Sequence, residues 1–149
     1  MAKLKLDDAL KRLESNLNLG LQEIVLEIAP GFPGAWTQKA RALRQLKRYD
    51  EALAALDRAL ELAPAFDWAW NEKGTVFRVM GRHEEALAAY QEAARRNPNE
   101  PCYLYNEIRT LAALQRYEEG LQAAQHLTER IPTFAPGWSA LGVILRSLG

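Results

Sequence analysis

Proline recurs in this chain at a fixed interval of 34 residues. The four positions are Pro30, Pro64, Pro98 and Pro132. Two further columns keep the same step, one with Trp36, Trp70, Leu104 and Trp138, the other with Leu43, Phe77, Leu111 and Leu145. A period of this length, shared by several columns, predicts an array of similar units that bury their apolar faces against one another.

Each unit is predicted to be a pair of helices. In the first full unit, Trp36, Ala40 and Leu43 fall on one face of a first helix, and Leu53 and Leu56 on one face of a second. Proline closes each unit because it cannot continue a helix. No useful strand alternation is present, so the fold class is predicted to be all-α, with the periodic tryptophans, including Trp138, in the core.

The two ends depart from this pattern. Residues 1–32 predict a degenerate N-terminal helix pair, with Leu6, Leu10 and Leu13 on one helix and Ile24 and Ile28 on the other. Residues 135–149 predict a single closing helix. We therefore expect one domain over 1–149, with three full repeats at 33–66, 67–100 and 101–134.

The spacing resembles the tetratricopeptide repeat. The second full repeat carries the family columns as Trp70, Gly74, Phe77, Ala86, Tyr90, Ala93 and Pro98. The resemblance implies a right-handed superhelix, an α-solenoid of antiparallel helix pairs whose concave face is lined by the first helix of each pair. It also implies a non-catalytic adaptor or scaffold that binds a peptide or a helix of a protein partner in that groove.

Residues off the core stripe of the first helices are the candidates for the concave groove. They are Thr37, Arg41, Arg44, Trp68, Asn71, Thr75, Arg78, Tyr105, Asn106, Arg109 and Arg146. Arginine presents a rigid fork that suits carboxylates, and exposed aromatic rings anchor ligands. These residues predict a peptide with acidic side chains or a free C-terminal carboxylate; the alternative is ordinary solvation of surface arginines.

The closing helix supports a second hypothesis. Val143, Ile144, Leu145 and Leu148 cannot all face one neighbouring helix pair. This apolar surface predicts self-association, as a homodimer through the C-terminal helix. The alternative is a chain cut before its next helix.

Composition excludes other classes of function. Lys plus Arg and Asp plus Glu are 19 each, which argues against nucleic-acid binding by bulk charge and leaves an arginine stripe as a third alternative. Cys102 is the single cysteine, and neither a metal cluster nor a cofactor or catalytic motif is present, so no metal, no cofactor and no enzyme activity are expected. The start of the chain has no secretory signal and no segment is apolar enough to span a membrane, so we expect a cytoplasmic protein without a membrane partner.

Overall fold

In a computed structural model, the protein is described over residues 2–149, and that part of the chain contains helices and no strands. The helices are α1 Ala2–Ile28, α2 Pro33–Gln45, α3 Tyr49–Leu62, α4 Asp67–Val79, α5 His83–Arg96, α6 Pro101–Ala113, α7 Tyr117–Arg130 and α8 Ala135–Leu148. The predicted all-α class is confirmed. Packing divides the chain after Glu72 into a first and a second unit, with α4 crossing the division. None of the described helices is both long and apolar enough to cross a membrane.

The predicted helix pair in residues 1–32 is wrong, because α1 is one continuous helix of 27 residues. No proline interrupts residues 2–28, so nothing forces a turn. The polar residues in its middle bond within the helix: Ser15 Oγ lies 2.8 Å from the carbonyl oxygen of Lys11, and Asn16 Nδ2 donates to that of Arg12 at 2.9 Å. Gly20 lowers helix propensity by only about 1 kcal/mol.

In the first unit, α2 packs between α1 and α3. Both packed sides of α2 carry small residues: Ala40 and Ala42 lie about 160° apart around the helix and have no exposed surface. On α3, Leu56 and Ala59 are equally buried. Small side chains let helix axes approach closely, so leucine on one helix fills the groove beside alanine on the next.

The turn between the two helices of a pair has the same backbone in all three pairs. Lys47, Gly81 and Gln115 lie 34 residues apart and adopt positive φ angles of 61°, 78° and 59°. This left-handed conformation ends the first helix, and the next residue donates its N–H back to that helix, as Arg48 does to the carbonyl of Leu43 at 2.8 Å. Glycine occupies only the middle turn, so Lys47 and Gln115 carry backbone strain that Gly81 does not.

Each second helix of a pair opens on an arginine that holds a glutamate one turn later. Arg48 Nε donates to Glu51 Oε2 at 2.6 Å, and Arg116 Nε donates to Glu119 Oε1 at 2.8 Å. Arg82 and Glu85 form the corresponding pair. These hydrogen bonds lower the pKa of Glu51 and of Glu119, which keeps both carboxylates charged at the positive end of the helix.

The tryptophan and proline columns are joined by hydrogen bonds. The indole N–H of Trp36 donates to the carbonyl of Pro30 at 2.8 Å, and that of Trp138 donates to Pro132 at the same distance. Trp70 makes the same bond to Pro64 at 3.0 Å. The bond holds the indole beside the bend rather than inside the core. The expected core position of Trp138 is therefore wrong, since that side chain is 51% exposed.

In the second unit, α6 packs against α5, α7 and α8, and α8 also packs against α7. Tyr90 of α5 is fully buried, and its ring fills the space that Gly74 leaves open on α4. Ile144 of α8 is also fully buried, where it lies against Gly120 at the start of α7. The prediction that Ile144 lies on an exposed association surface is wrong, because Ile144 fills the space left by the missing side chain of Gly120.

Candidate functional site

On α2, Thr37 and Arg41 have opposite environments. Thr37 is fully buried, and its hydroxyl donates to the carbonyl of Pro33 at 3.0 Å. It therefore cannot contact a ligand, and its prediction as a groove residue is wrong. Arg41, one turn later, is exposed and forms no ion pair within residues 2–149.

Arg44 lies beside a buried acid that the groove prediction did not include. Its guanidinium nitrogen is 3.6 Å from Oε2 of Glu72 on α4, and Glu72 is 8% exposed. Arg44 Nε and Glu72 Oε2 have no hydrogen-bond partner among the described residues. The two charges compensate one another but leave a donor and an acceptor unsatisfied. Glu72 lies between buried Ala69 and Val76 at helical spacing, and that spacing was the signal for its burial.

The start of α4 contributes Trp68 and Asn71, both half-buried. The ring of Trp68 packs edge-on against Phe66, with the centroids 6.0 Å apart. Phe66 therefore fixes the orientation of Trp68 and leaves part of the indole accessible.

Side chains on the later turns of α4 contact a buried tyrosine of α5, Tyr90. The hydroxyls of Thr75 and Tyr90 lie 3.1 Å apart, and Arg78 Nε donates to the same tyrosine oxygen at 3.4 Å. Both Thr75 and Arg78 are half-buried. Their polar groups satisfy a buried hydroxyl, which gives them a structural role that the groove prediction did not include.

On α6, Tyr105, Asn106 and Arg109 lie within one turn and form what we call the α6 surface. The guanidinium carbon of Arg109 is 5.6 Å from the centre of the Tyr105 ring, within the range of a cation–π contact. Tyr105 in turn packs edge-on against Phe134 at 6.0 Å. Asn106 is half-buried. Arg109 is exposed and forms no ion pair in the described chain, so it offers an accessible cation beside a fixed ring.

The opposite side of α6 borders a polar cleft of about 390 Å³ that is open to solvent and that the sequence did not predict. Its lining includes Gln91, Glu107, Glu119 and His126. Burial raises the pKa of Glu107, while a 3.0 Å hydrogen bond from Gln91 and the nearby His126 act in the opposite direction. The signal in the sequence was that Glu107 falls between the apolar column residues Leu104 and Leu111 at helical spacing.

The closing helix α8 retains part of the predicted association surface. Val143, Leu145 and Leu148 are between 40% and 49% exposed. Arg146 is exposed as well. The apolar patch of α8 is therefore smaller than predicted, because Ile144 faces the core.

Cys102 lies at the opening of α6 and is exposed. Its backbone N–H donates to Glu100 Oε1 at 3.2 Å. Partial burial of the thiol and the adjacent Glu100 raise its pKa, which disfavours the nucleophilic thiolate. Within residues 2–149, no group of three or more histidine, cysteine, aspartate or glutamate side chains is placed to hold a metal ion.

The comparisons with solved structures agree on the fold. The chain superimposes on TTC0263, a thermophilic TPR protein of Thermus thermophilus, with a TM-score of 0.79, 18% identity, and coverage of 91% of this chain and 75% of that one. It superimposes on YrrB, described as a TPR protein with an unusual peptide-binding site, with a TM-score of 0.74 and 22% identity over 86% of this chain. This chain spans 66% of the length of YrrB. MamA gives a TM-score of 0.77 at 14% identity, over 88% of this chain and 77% of that one.

The sequence comparisons address the family directly. No curated protein matches the chain significantly. The profile of the tetratricopeptide repeat matches residues 2–67, 37–101 and 71–136, which together cover most of the 149 residues. The resemblance inferred from the proline and tryptophan columns is thereby confirmed, and the chain belongs to the tetratricopeptide-repeat family.

Proposed function

We propose that the protein is a non-catalytic scaffold that binds a segment of a protein partner, and that the α6 surface recognises an acidic side chain or a free C-terminal carboxylate of that segment. The fold supports the general role, since YrrB, with the same fold, is described with a peptide-binding site. Because folds alone do not determine ligands, the chemistry is argued from the residues of α6.

The observation that carries the proposal is the pairing of Arg109 with Tyr105. The guanidinium lies 5.6 Å from the ring, which leaves its N–H fork available to a carboxylate. The ring is held by Phe134, so little side-chain entropy is lost when a ligand packs on it. An accessible cation next to a rigid aromatic surface suits a peptide that ends in, or contains, an acid beside an apolar residue.

The first unit offers a second position of the same chemistry. Arg41 is exposed on α2, while Arg44 on the next turn is held by Glu72. The first unit by itself therefore offers an acidic group one accessible arginine on α2, rather than two. We expect Arg41 to contribute to binding and Arg44 to act through its contact with Glu72.

The test is a titration of fluorescent peptides that end in an acidic residue, with either a free or an amidated C-terminus. Arg109→Ala is expected to raise the dissociation constant about tenfold, since a charge-assisted hydrogen bond contributes roughly 1.5–3 kcal/mol. Arg109→Lys keeps the charge and loses the fork, so it should recover only part of the affinity. Tyr105→Ala should also weaken binding.

The matched control is Arg95→Ala on α5, where the arginine is exposed and paired with Glu92. This variant removes one positive charge from the same unit and is expected to leave binding unchanged. Equal affinity of the Arg109→Ala and unsubstituted proteins for every peptide would reject the α6 surface as the site. A preference for the free over the amidated C-terminus would identify the terminal carboxylate as the recognised group.

Self-association through α8 remains the second candidate function. Leu145 and Leu148 are partly exposed on the side of α8 that also carries Trp138, which supports a contact with another copy. Val143 is also partly exposed, but it lies about 160° around the helix from Leu145. Leu145→Glu is expected to lower the association state in light scattering while leaving peptide affinity intact. An association state that does not change on this substitution would exclude α8 as the contact.

A further inference from the structure

Helix α1 carries an exposed apolar stripe that no other helix of the protein covers within the described chain. Its members are Leu6, Leu10, Leu13, Leu17 and Ile24, which we call the α1 seam. Each of these side chains is between 48% and 63% exposed. Gly20 occupies the remaining position of the same stripe.

The seam lies on the opposite side of α1 from the contact with α2. The buried residues of α1 are Ser15, Leu19 and Leu26, which follow one another along the inner face. At about 100° per residue, Leu6 is on the opposite side of the helix from Ser15, and Ile24 is roughly 160° from Leu26. The seam is therefore a second apolar face of α1, separate from the face that packs against α2.

The first half of α1 has only this face with which to gain stability. Every side chain from 3 to 14 is exposed. Isolated helices of this length are marginal in water, and most helical stability comes from packing of an apolar face. The seam residues advance in alternating steps of four and three, which is the spacing of a coiled-coil seam rather than of an ordinary surface helix.

We propose that the α1 seam pairs with the α1 seam of a second copy of this chain, in an antiparallel two-stranded coiled coil. The inference does not depend on peptide binding by the α6 surface. A two-fold interface requires a surface complementary to itself, and one register gives every seam position a partner along the helix.

In that register, each residue and its partner have numbers that sum to 30. Leu6 then lies opposite Ile24 of the other copy, and Leu13 lies opposite Leu17. Leu10 lies opposite Gly20, where an added Cβ would meet no atom of the same chain within 4 Å, so the leucine of the other copy can pack there. Knobs of one helix thus meet holes of the other along the whole helix.

The charges at the ends of α1 select the antiparallel orientation. Lys3 and Lys5 lie near the start of the helix, while Glu23 and Glu27 lie near its end. The same register places Lys3 opposite Glu27, and neither forms an ion pair within its own described chain. A parallel pair would instead bring lysine to lysine and glutamate to glutamate. Glu14 lies near its own copy across the two-fold axis, on the solvent side, where salt screens the repulsion.

The first experiment measures the association state by sedimentation equilibrium over a range of concentrations. The unsubstituted protein should dimerise, and Leu13→Glu should raise the dimer dissociation constant by more than about tenfold, since it places two charges in the seam. Leu13 is exposed in the single chain, so this variant should keep its helical circular dichroism. Val79→Glu at the end of α4 is the matched control. Val79 is 40% exposed and lies outside both proposed association surfaces, so this variant should leave the dimer unchanged.

A charge exchange tests the register. Lys3→Glu and Glu27→Lys, made separately, should each weaken the dimer about two- to fivefold, because each creates a like-charge pair at both ends. The two substitutions combined in one chain restore opposite charges and should return the dissociation constant to its original value.

Orientation is tested with a nitroxide label on Lys5→Cys in a Cys102→Ser background. The two labels should be separated by roughly 30 Å in the antiparallel pair and by about 10 Å in a parallel one. A monomer at all concentrations, a dimer that survives Leu13→Glu, failure of the combined exchange to restore affinity, or a short label distance would each overturn the proposal.

Discussion

Gly74 and the ring of Tyr90 pack so closely that one additional carbon atom at Gly74 would not fit. A Cβ added at Gly74 would lie 2.7 Å from Cδ1 and 2.8 Å from Cε1 of the tyrosine ring. The ring is fully buried and its hydroxyl is engaged by Thr75, so it has no room to move aside. This close approach, rather than backbone freedom, explains a glycine in the middle of a helix.

Gly74→Ala is accordingly expected to destabilise the protein by about 1–3 kcal/mol, the usual cost of overpacking a core. Denaturant unfolding followed by circular dichroism measures the change. Gly142→Ala on α8 is the control, because nothing lies within 4 Å of a Cβ at that position. It should stabilise the protein by up to about 1 kcal/mol through helix propensity alone. If the two alanine variants had equal stability, the ring contact would not be the cause.

Glu107 should make stability depend on pH in an unusual direction. Burial raises the pKa of its carboxyl above the ordinary value of 4.5, so between these two values the folded state binds more protons than the unfolded state. The free energy of unfolding therefore falls as pH rises through that window. Glu107→Gln should remove this decrease and stabilise the protein at neutral pH, since the amide can keep the contact with Gln91.

Urea unfolding of the unsubstituted protein and of Glu107→Gln from about pH 2 to pH 8 measures the effect. Glu119→Gln provides a contrast, because the hydrogen bond from Arg116 lowers the pKa of Glu119. That variant should lose stability at neutral pH, and the loss should fade as pH falls through the lowered pKa of the native glutamate. A Glu107→Gln difference independent of pH would show that its carboxyl titrates normally in the folded state.

At the scale of elements, the three turns inside the helix pairs have the same backbone conformation but a different residue at the position of positive φ. Gly81 suits its positive φ, whereas Lys47 and Gln115 adopt the same conformation at a cost of roughly 1–2 kcal/mol each. Lys47→Gly and Gln115→Gly should each stabilise the protein by about 0.5–1 kcal/mol, after the larger entropy of glycine in the unfolded chain is counted.

Thermal unfolding would register each of these changes as an increase in Tm of a few degrees. The reciprocal change, Gly81→Ala, should lower Tm by a similar amount. A drop in stability for Lys47→Gly would mean that the lysine side chain makes a contact worth more than the strain it carries.

The elements that the sequence predicted well are those with a proline at each boundary. Helices α2 to α7 fall in pairs inside the three predicted repeat ranges. The prediction of an N-terminal helix pair was wrong because the 34-residue period was extended to a region without an internal proline. In that region Ser15 and Asn16 form hydrogen bonds within the helix instead of ending it. The alternating leucine spacing of α1 was present in the sequence but was divided between two supposed helices.

The candidate site was predictable in part, for a reason visible at single positions. Helical register identified Arg41 and Arg109 on the first helices, and both are exposed. Register does not reveal what a side chain meets from another helix, so it missed the contact of Glu72 with Arg44 and that of Arg78 with Tyr90. It also placed Thr37 in the groove and Ile144 on the surface, although both are fully buried.

At the scale of the whole molecule, an antiparallel α1 pair would couple stability to protein concentration. Dimerisation that favours the folded chain raises Tm with concentration by mass action. The unsubstituted protein should therefore unfold at a higher temperature in a more concentrated sample, and Leu13→Glu should abolish this dependence. A concentration-independent Tm in the unsubstituted protein would count against the pairing.

The bond between each indole and the proline carbonyl six residues earlier has a spectroscopic consequence. Trp36, Trp70 and Trp138 each mark a different bend of the chain, so each bend holds its own fluorophore and its own indole proton. When a bend opens, its indole proton is released to exchange with solvent, and the signal of that tryptophan alone should broaden or disappear. The order in which the hairpins separate could thus be followed in the native protein without attaching any label.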